Sequence, residues 1–314
     1  MENSSAASEL IKWIPYKVLV ENRQLYFQWL YVGAEKFDDP FFDETISKCM
    51  KLPYNSGRYR SITGMDVLSS TYTVKPSAFI FHVSRCGSTL LSQYLSMDEQ
   101  AIVLPEAPLF DDLLRLHYKT DDVNEAEVED ALLKAIAFTA QKRTGNEKHL
   151  FIKLDSWHIC FYEKFRKLFP DTPFVFLYRS PDEVIRSNRR QRGMQAVPGI
   201  IEPQVFGFDP AEANTHDLDG YFTKVLHCYF QKMSAIRASD ANTLFLDYRE
   251  GSMNMIRKLA AFCSYPQTEK LLAEMEERSR YHSKRPEQVF SEERKQEEVP
   301  AYQLELMQLY RQFS

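Results

Sequence analysis

Arg85, Cys86, Gly87, Ser88 and Thr89 follow directly on residues 78–83, a mostly apolar and β-prone run. Such a run suits a buried parallel strand. Gly87 tolerates the positive φ or close approach that a tight turn after that strand requires. Ser88 and Thr89 can cap a helix whose buried face is Leu90, Leu91, Tyr94 and Leu95. A strand, turn and helix in this order aim backbone N–H groups and the positive end of a helix at one point. That is an anion site, and phosphate is its usual occupant. Arg85 adds a guanidinium, and the two hydroxyls add donors. The spacing departs from the triphosphate loop G-x-x-x-x-G-K-[ST]. His82 stands at the first glycine position and Ser88 at the lysine position. The group that reaches the β- and γ-phosphates is missing, so a ligand with a different phosphate layout is expected.

The elements that must carry this loop repeat along the chain. Residues 101–104, 150–152, 173–178 and 243–246 read as short buried strands. They deliver Glu106, Lys153 with Asp155, Arg179, and the turn Asp247-Tyr248-Arg249-Glu250. Helical spacing is expected over 111–118, 126–139, 159–169, 182–190, 221–236, 253–262, 268–278 and 301–313. This order predicts a central, mainly parallel sheet with helices on both faces, a three-layer α/β/α fold. Chemistry in such sheets sits beyond the carboxyl ends of the strands, where Arg85, Glu106, Asp155 and Arg179 all fall.

Residues 11–29 alternate apolar and polar groups and read as strands or a hairpin, and residues 40–45 as a loop entering a short helix. Residues 1–75 are therefore expected to be an N-terminal extension packed on an α/β domain over 76–314. Within that domain 191–220, rich in Gly and Pro after Arg189, Arg190 and Arg192, is expected to be a lid or acceptor loop. Residues 1–10 look frayed, and 280–298 read as a polar, loop-rich stretch.

The chain has 314 residues, 44% of them hydrophobic, and a net charge of −5. That balance argues against a general nucleic-acid binder and leaves local basic clusters to serve one anionic ligand. The five cysteines are scattered without a CxxC pair, so neither a disulfide framework nor a cysteine zinc site is expected. No HExxH or other cluster at metal-ligand spacing is present. No apolar run reaches membrane-spanning length and no signal-peptide pattern opens the chain. A soluble protein of the reducing cytoplasm, with no membrane partner, is the expectation.

Taken together, the chain resembles the sulfotransferases that use 3′-phosphoadenosine 5′-phosphosulfate (PAPS). Arg85-Cys86-Gly87-Ser88-Thr89 is similar to their phosphosulfate loop. Arg179-Ser180-Pro181 with Ser187 resembles their second motif, an Arg at a strand end and a Ser eight residues later. Residues 245–250 resemble their late strand and turn, and Lys153-Leu154-Asp155 falls where cytosolic members have Lys-Thr-His. The resemblance covers roughly residues 76–265. It implies the sulfotransferase variant of the P-loop fold, a PAPS site and a small-molecule acceptor. Carried over, Arg85, Cys86, Gly87, Ser88 and Thr89 would hold the 5′-phosphosulfate, and Arg179 and Ser187 the 3′-phosphate. Lys153 and Arg85 would balance charge on the bridging oxygen. Glu106 is the favoured general base, its loop stiffened by Pro105 and Pro108. Asp155 competes for that role, and it also fits helix capping beside Ser156. A late basic turn at Ser279, Arg280, His282, Ser283 and Lys284 is a loose match to the family's closing loop. The alternatives are a P-loop kinase or other phosphotransferase, against which the missing lysine counts, and a non-catalytic nucleotide-binding protein. No pattern fixes the acceptor or an oligomeric state.

Overall fold

The computed structural model describes residues 10–57, 61–68, 74–282, 285–289 and 300–313. The frayed start over 1–9, Ser283 and Lys284, and the polar stretch 290–298 lie outside the described residues. The strands in chain order are β1 (Trp13–Glu21), β2 (Gln24–Tyr31), β3 (Ile62–Gly64), β4 (Pro76–His82), β5 (Ala101–Pro105), β6 (His149–Lys153), β7 (Phe174–Tyr178), β8 (Thr243–Asp247), β9 (Tyr281–His282) and β10 (Arg285–Val289). The helices are α1 (Phe42–Cys49), α2 (Ser88–Ser96), α3 (Pro108–Leu114), α4 (Glu125–Thr139), α5 (Tyr162–Leu168), α6 (Pro181–Arg190), α7 (Leu218–Ser239), α8 (Ser252–Phe262), α9 (Glu269–Arg278) and α10 (Leu304–Phe313). Parallel strands alternating with helices give the α/β class, in the three-layer α/β/α arrangement expected from the sequence. None of the described helices is long and apolar enough to cross a membrane.

Two compact units divide the chain. The first is Met1–Ser77 with Leu95–Lys153, and the second is Ala78–Tyr94 with Leu154–Ser314. In the first, β1 and β2 form an antiparallel hairpin and β3 adds antiparallel to β2. Asn22 and Arg23 turn the hairpin with positive φ at both positions, the twist that matches two right-handed strands. This small sheet packs on α3 and α4, where the Trp29 ring meets Phe138 edge-on at 4.7 Å. The front segment thus shares a unit with residues 95–153. Asn124 and Glu127 close a reciprocal capping box at the start of α4. The helix expected at 111–118 begins earlier, because Pro108 is pre-set for the first helical position, and it ends in a 3-10 turn at Leu116–Tyr118. β5 and β6 are parallel neighbours with buried Ile102, Val103, Leu104, Leu150, Phe151 and Ile152.

In the second unit β4, β7 and β8 run parallel in that order, with Phe81, Phe176 and Phe245 in register. Their rings stack, at 4.8 Å for Phe81–Phe176 and 4.9 Å for Phe176–Phe245. α7 buries Phe222, Val225, Leu226, Tyr229, Phe230, Met233 and Ile236, the period expected of an amphipathic helix. α10 packs against α6 and α7. Two expectations are corrected here. The helix expected over 159–169 is a 3-10 segment, Ser156–Phe161, running into α5, because the cap at Asp155 starts a turn earlier. Part of the stretch expected as loop, within 281–289, is the antiparallel pair β9 and β10. Of residues 191–220, those before α7 hold three short 3-10 turns, and Gln195, Ala196, Ile201, Val205 and Phe206 are buried.

Candidate functional site

In the second unit, β4 ends in a turn that bends by left-handed backbone at Ser84, Arg85 and Gly87, with φ of +71°, +52° and +82°. A left-handed residue other than Gly costs about 1–2 kcal/mol, so a turn carrying two of them is held by its surroundings. The Ser84 N–H donates to His82 Nδ1 at 3.0 Å, and the buried Cys86 thiol donates to the Leu177 carbonyl of β7 at 3.4 Å. Cys86 thus packs the turn against β7. Gly87 answers two demands at once. Its φ suits Gly, and a Cβ there would meet the Tyr248 ring at 3.2 Å. Ser88 and Thr89 open α2 and are buried. The Arg85 guanidinium donates to the Gln191 carbonyl, and burial pulls its pKa below the usual value.

Arg179, at the end of β7, is only 7% exposed. Its Nε donates to Glu183 Oε2 at 2.8 Å, and its Nη1 to the Arg85 carbonyl at 3.2 Å. Its guanidinium carbon lies 4.2 Å from the centre of the Tyr248 ring. A carboxylate, a carbonyl and an aromatic face thus fix the fork. The second bond joins two motifs 94 residues apart, so the structure brings Arg179 against the Arg85 backbone. Ser187 is partly exposed on α6, one helical turn beyond Glu183 and on the same face. A carboxylate-clasped arginine, a loop of N–H donors and a helix start make one cationic, donor-rich corner, the chemistry that holds phosphate oxygens.

Asp155 is the N-cap of the 3-10 segment Ser156–Phe161. Its side chain accepts from the backbone N–H of His158, and its own N–H donates to His158 Nδ1 at 3.3 Å. Both residues are thereby engaged in a capping box, the second of the two uses the sequence allowed for Asp155. Arg189 and Arg192 both reach Asp219, at 2.6 and 2.8 Å. Burial would raise the Asp219 pKa, but hydrogen bonds from Arg192 and Arg189 outweigh it and hold the carboxyl below its ordinary value. Arg280 pairs with Glu277 at 2.9 Å on the surface.

In the first unit, β5 and β6 end side by side with Pro105 opposite Lys153. The Glu106 N–H donates to the Lys153 carbonyl at 2.7 Å, and Glu106 itself takes a left-handed φ of +56°. That bend returns the carboxylate to Lys153, whose ammonium donates to Glu106 Oε1. The Lys153 side chain is 0% exposed and that of Glu106 18%. The Phe41 ring centre lies 5.2 Å from Nζ. Glu106 and Lys153, named separately from the sequence, are one ion pair.

Sequence reasoning missed three supports. Glu183 had a local signal, since it follows Arg179 by four residues at a helix start. Tyr248 stood in the quoted late turn, but nothing in that turn says its ring covers Gly87 and Arg179. The Gln191 carbonyl that takes Arg85 is backbone and leaves no side-chain pattern to read.

No protein-family model and no curated protein sequence matches the chain. Solved structures do. A sulfotransferase domain from the curacin biosynthetic pathway is 16% identical, over 63% of this chain and 77% of that one, with a TM-score of 0.44. A sulfotransferase of Mycobacterium tuberculosis H37Rv is 12% identical, over 65% and 71%, at 0.41. One from Alicyclobacillus acidocaldarius is 16% identical, over 64% and 90%, at 0.40. These three structures, to which this chain is similar, are sulfotransferases.

Proposed function

We propose that this protein is a sulfotransferase that moves a sulfonate from PAPS to a hydroxyl or amine of a small-molecule acceptor. The observation that carries the reading is the bond from Arg179 to the Arg85 carbonyl, which sets the second anion-binding arginine against the loop that turns out of β4. A nucleotide with one anionic group at its 5′ end and another at its 3′ position fits two such points better than a linear triphosphate does. Gly87 supports the same reading, since the cradle it shapes would be filled by a Cβ against Tyr248. In this reading Arg85, Cys86, Gly87, Ser88 and Thr89 hold the phosphosulfate end, and Arg179 with Ser187 the 3′-phosphate.

PAPS supplies the sulfonate. Glu106 takes the proton from the acceptor, and Lys153 and Arg85 offset the charge that develops. Glu106 is preferred to Asp155 as the base because the Asp155 carboxylate caps its own turn. No metal is required by these residues. The protein acts in the cytoplasm on a small molecule, away from nucleic acid and membrane.

Calorimetric titration with 3′-phosphoadenosine 5′-phosphate, against ATP with magnesium, tests the reading. Affinity on the order of micromolar is expected for the bisphosphate. Arg179→Ala is expected to weaken it by about tenfold to a hundredfold, the loss of a charge-assisted contact. Binding of magnesium-ATP without the bisphosphate would replace this reading with a phosphotransferase. Bisphosphate binding without transfer to any acceptor would leave a non-catalytic nucleotide-binding protein.

A further inference from the structure

Cys160 and Cys228 have no part in the reaction proposed above. Cys160 lies in the 3-10 segment Ser156–Phe161 and Cys228 on α7, yet their sulfurs are 4.0 Å apart. Both are free thiols. Cys228 also donates to the Phe206 carbonyl at 3.5 Å. It lines an open cavity of about 480 Å³ together with Phe206, Phe208, Thr223, Lys224 and His227. A disulfide needs the sulfurs about 2 Å closer, and rotation about a Cα–Cβ bond is the motion that displaces a cysteine sulfur. The geometry points to a reversible modification site: we propose that Cys160 and Cys228 form a disulfide when a small hydroperoxide enters through this cavity. The proposal does not depend on the sulfotransferase reading.

Cys228 is the attacking sulfur. A hydrogen bond from Cys160 draws its pKa below that of an ordinary thiol, against burial and with help from Lys232. The same hydrogen bond, and burial, push Cys160 well above. The thiolate of Cys228 attacks one peroxide oxygen and the O–O bond breaks. The other oxygen leaves as alkoxide or hydroxide and takes a proton, which gives a sulfenic acid on Cys228 and one alcohol or water. The Cys160 sulfur then attacks the Cys228 sulfur, and hydroxide leaves with the Cys160 proton as water. Two thiols lose two electrons and two protons, and the hydroperoxide is reduced by the same two electrons. A dithiol reverses the change by exchange. Burial sets the other thiols apart: it pushes Cys49 up to about 11 and Cys263 to about 12, and Cys86 is fully buried inside the anion loop.

The test treats the full chain with hydrogen peroxide, counts thiols after denaturation, and maps peptides without reduction. Two of the five thiols are expected to disappear into one cross-linked peptide pair holding Cys160 and Cys228, and dithiothreitol is expected to restore them. Cys160→Ser should leave a sulfenic acid on Cys228 that a cyclic dione traps. Cys228→Ser should lose thiols at least about tenfold more slowly than the wild type. Retention of all thiols, pairing with Cys49, Cys86 or Cys263, links between two chains, or equal rates in wild type and Cys228→Ser would each overturn the proposal. The wild-type map decides by itself if a variant does not fold.

Discussion

Lys153 and Arg179 are both buried cations at the carboxyl end of a parallel strand, one in each unit, and they are compensated in different ways. Lys153 is a point charge with no exposed surface, answered by one carboxylate, Glu106, on a residue with left-handed backbone, and by the Phe41 ring at 5.2 Å. Arg179 is a planar fork. It is answered by one carboxylate, one carbonyl and one aromatic face. The first arrangement takes its one hydrogen-bonded acceptor and its backbone strain from the same residue. The second spreads the load, and it fixes a direction as well as a charge. A pair of the first kind suits a proton or charge handled locally, and a clasp of the second kind suits a rigid anion that must be met in one orientation.

The largest expected effect comes from breaking the Lys153–Glu106 pair. Lys153→Met removes the cation and leaves the Glu106 carboxylate largely buried, so urea denaturation should show a loss of about 3 kcal/mol. Adding Glu106→Gln should recover at least about 1 kcal/mol, because the largely buried residue then carries no charge. A loss below about 1 kcal/mol for Lys153→Met would mean that water reaches the pair and that the contrast with Arg179 is false.

The contrast also separates what the sequence could reveal from what it could not. The loop after β4 was legible because strand, Gly87 and helix hydroxyls are contiguous. Arg179 was legible as a strand-end residue, and its meeting with Arg85 only through resemblance. The use of Arg189 and Arg192 was not legible, because Asp219 lies about thirty residues away in sequence and reaches both through the start of α7. The union of β1, β2 and β3 with α3 and α4 was equally hidden. Alternation marks a strand's buried face but not the helix that covers it. Asp155 carried two local readings, and only the reciprocal bonds with His158 separate them.

Gly87→Ala sharpens the clasp side. Two costs add: a left-handed φ for a residue with a Cβ, and contact with the Tyr248 ring at 3.2 Å. Thermal unfolding should register about 1–2 kcal/mol. Tyr248→Ala in the same chain should relieve the contact and leave the backbone cost. Bisphosphate binding should weaken in both, since the ring also covers Arg179. If Gly87→Ala binds and unfolds as the wild type does, the loop is not the shaped cradle described above.

Glu183→Gln is a milder probe, since a hydrogen-bond acceptor stays and only its charge is lost. If the load on Arg179 is spread, bisphosphate affinity should fall only about fivefold, against the larger loss for Arg179→Ala. An effect as large as that of Arg179→Ala would mean that the Glu183 charge dominates the fork, as the Glu106 charge dominates at Lys153.

The smallest effect extends the comparison to buried anions. In the first unit the Glu147 carboxylate accepts from the backbone N–H groups of Arg143, Thr144 and Gly145, each at 3.0 Å, and from the Thr144 side chain. In the second unit Asp240 accepts from Tyr162, the Asn242 N–H and the Arg166 guanidinium. Burial would raise both pKa values, yet these bonds hold both carboxyls below their ordinary values. A carboxyl that holds its proton less tightly folded than unfolded contributes stability that is complete above its unfolded pKa. That contribution fades as pH falls through the lower folded value. Glu147→Gln should therefore cost below about 1 kcal/mol at neutral pH, and the gap to wild type should close as pH falls below the ordinary glutamate value of 4.5. Salt separates the two anions. Dipoles hold Glu147, so its gap should persist in molar sodium chloride, whereas that of Asp240→Asn should shrink as Arg166 is screened. Equal salt dependence would show that the guanidinium adds no more to Asp240 than an uncharged donor would.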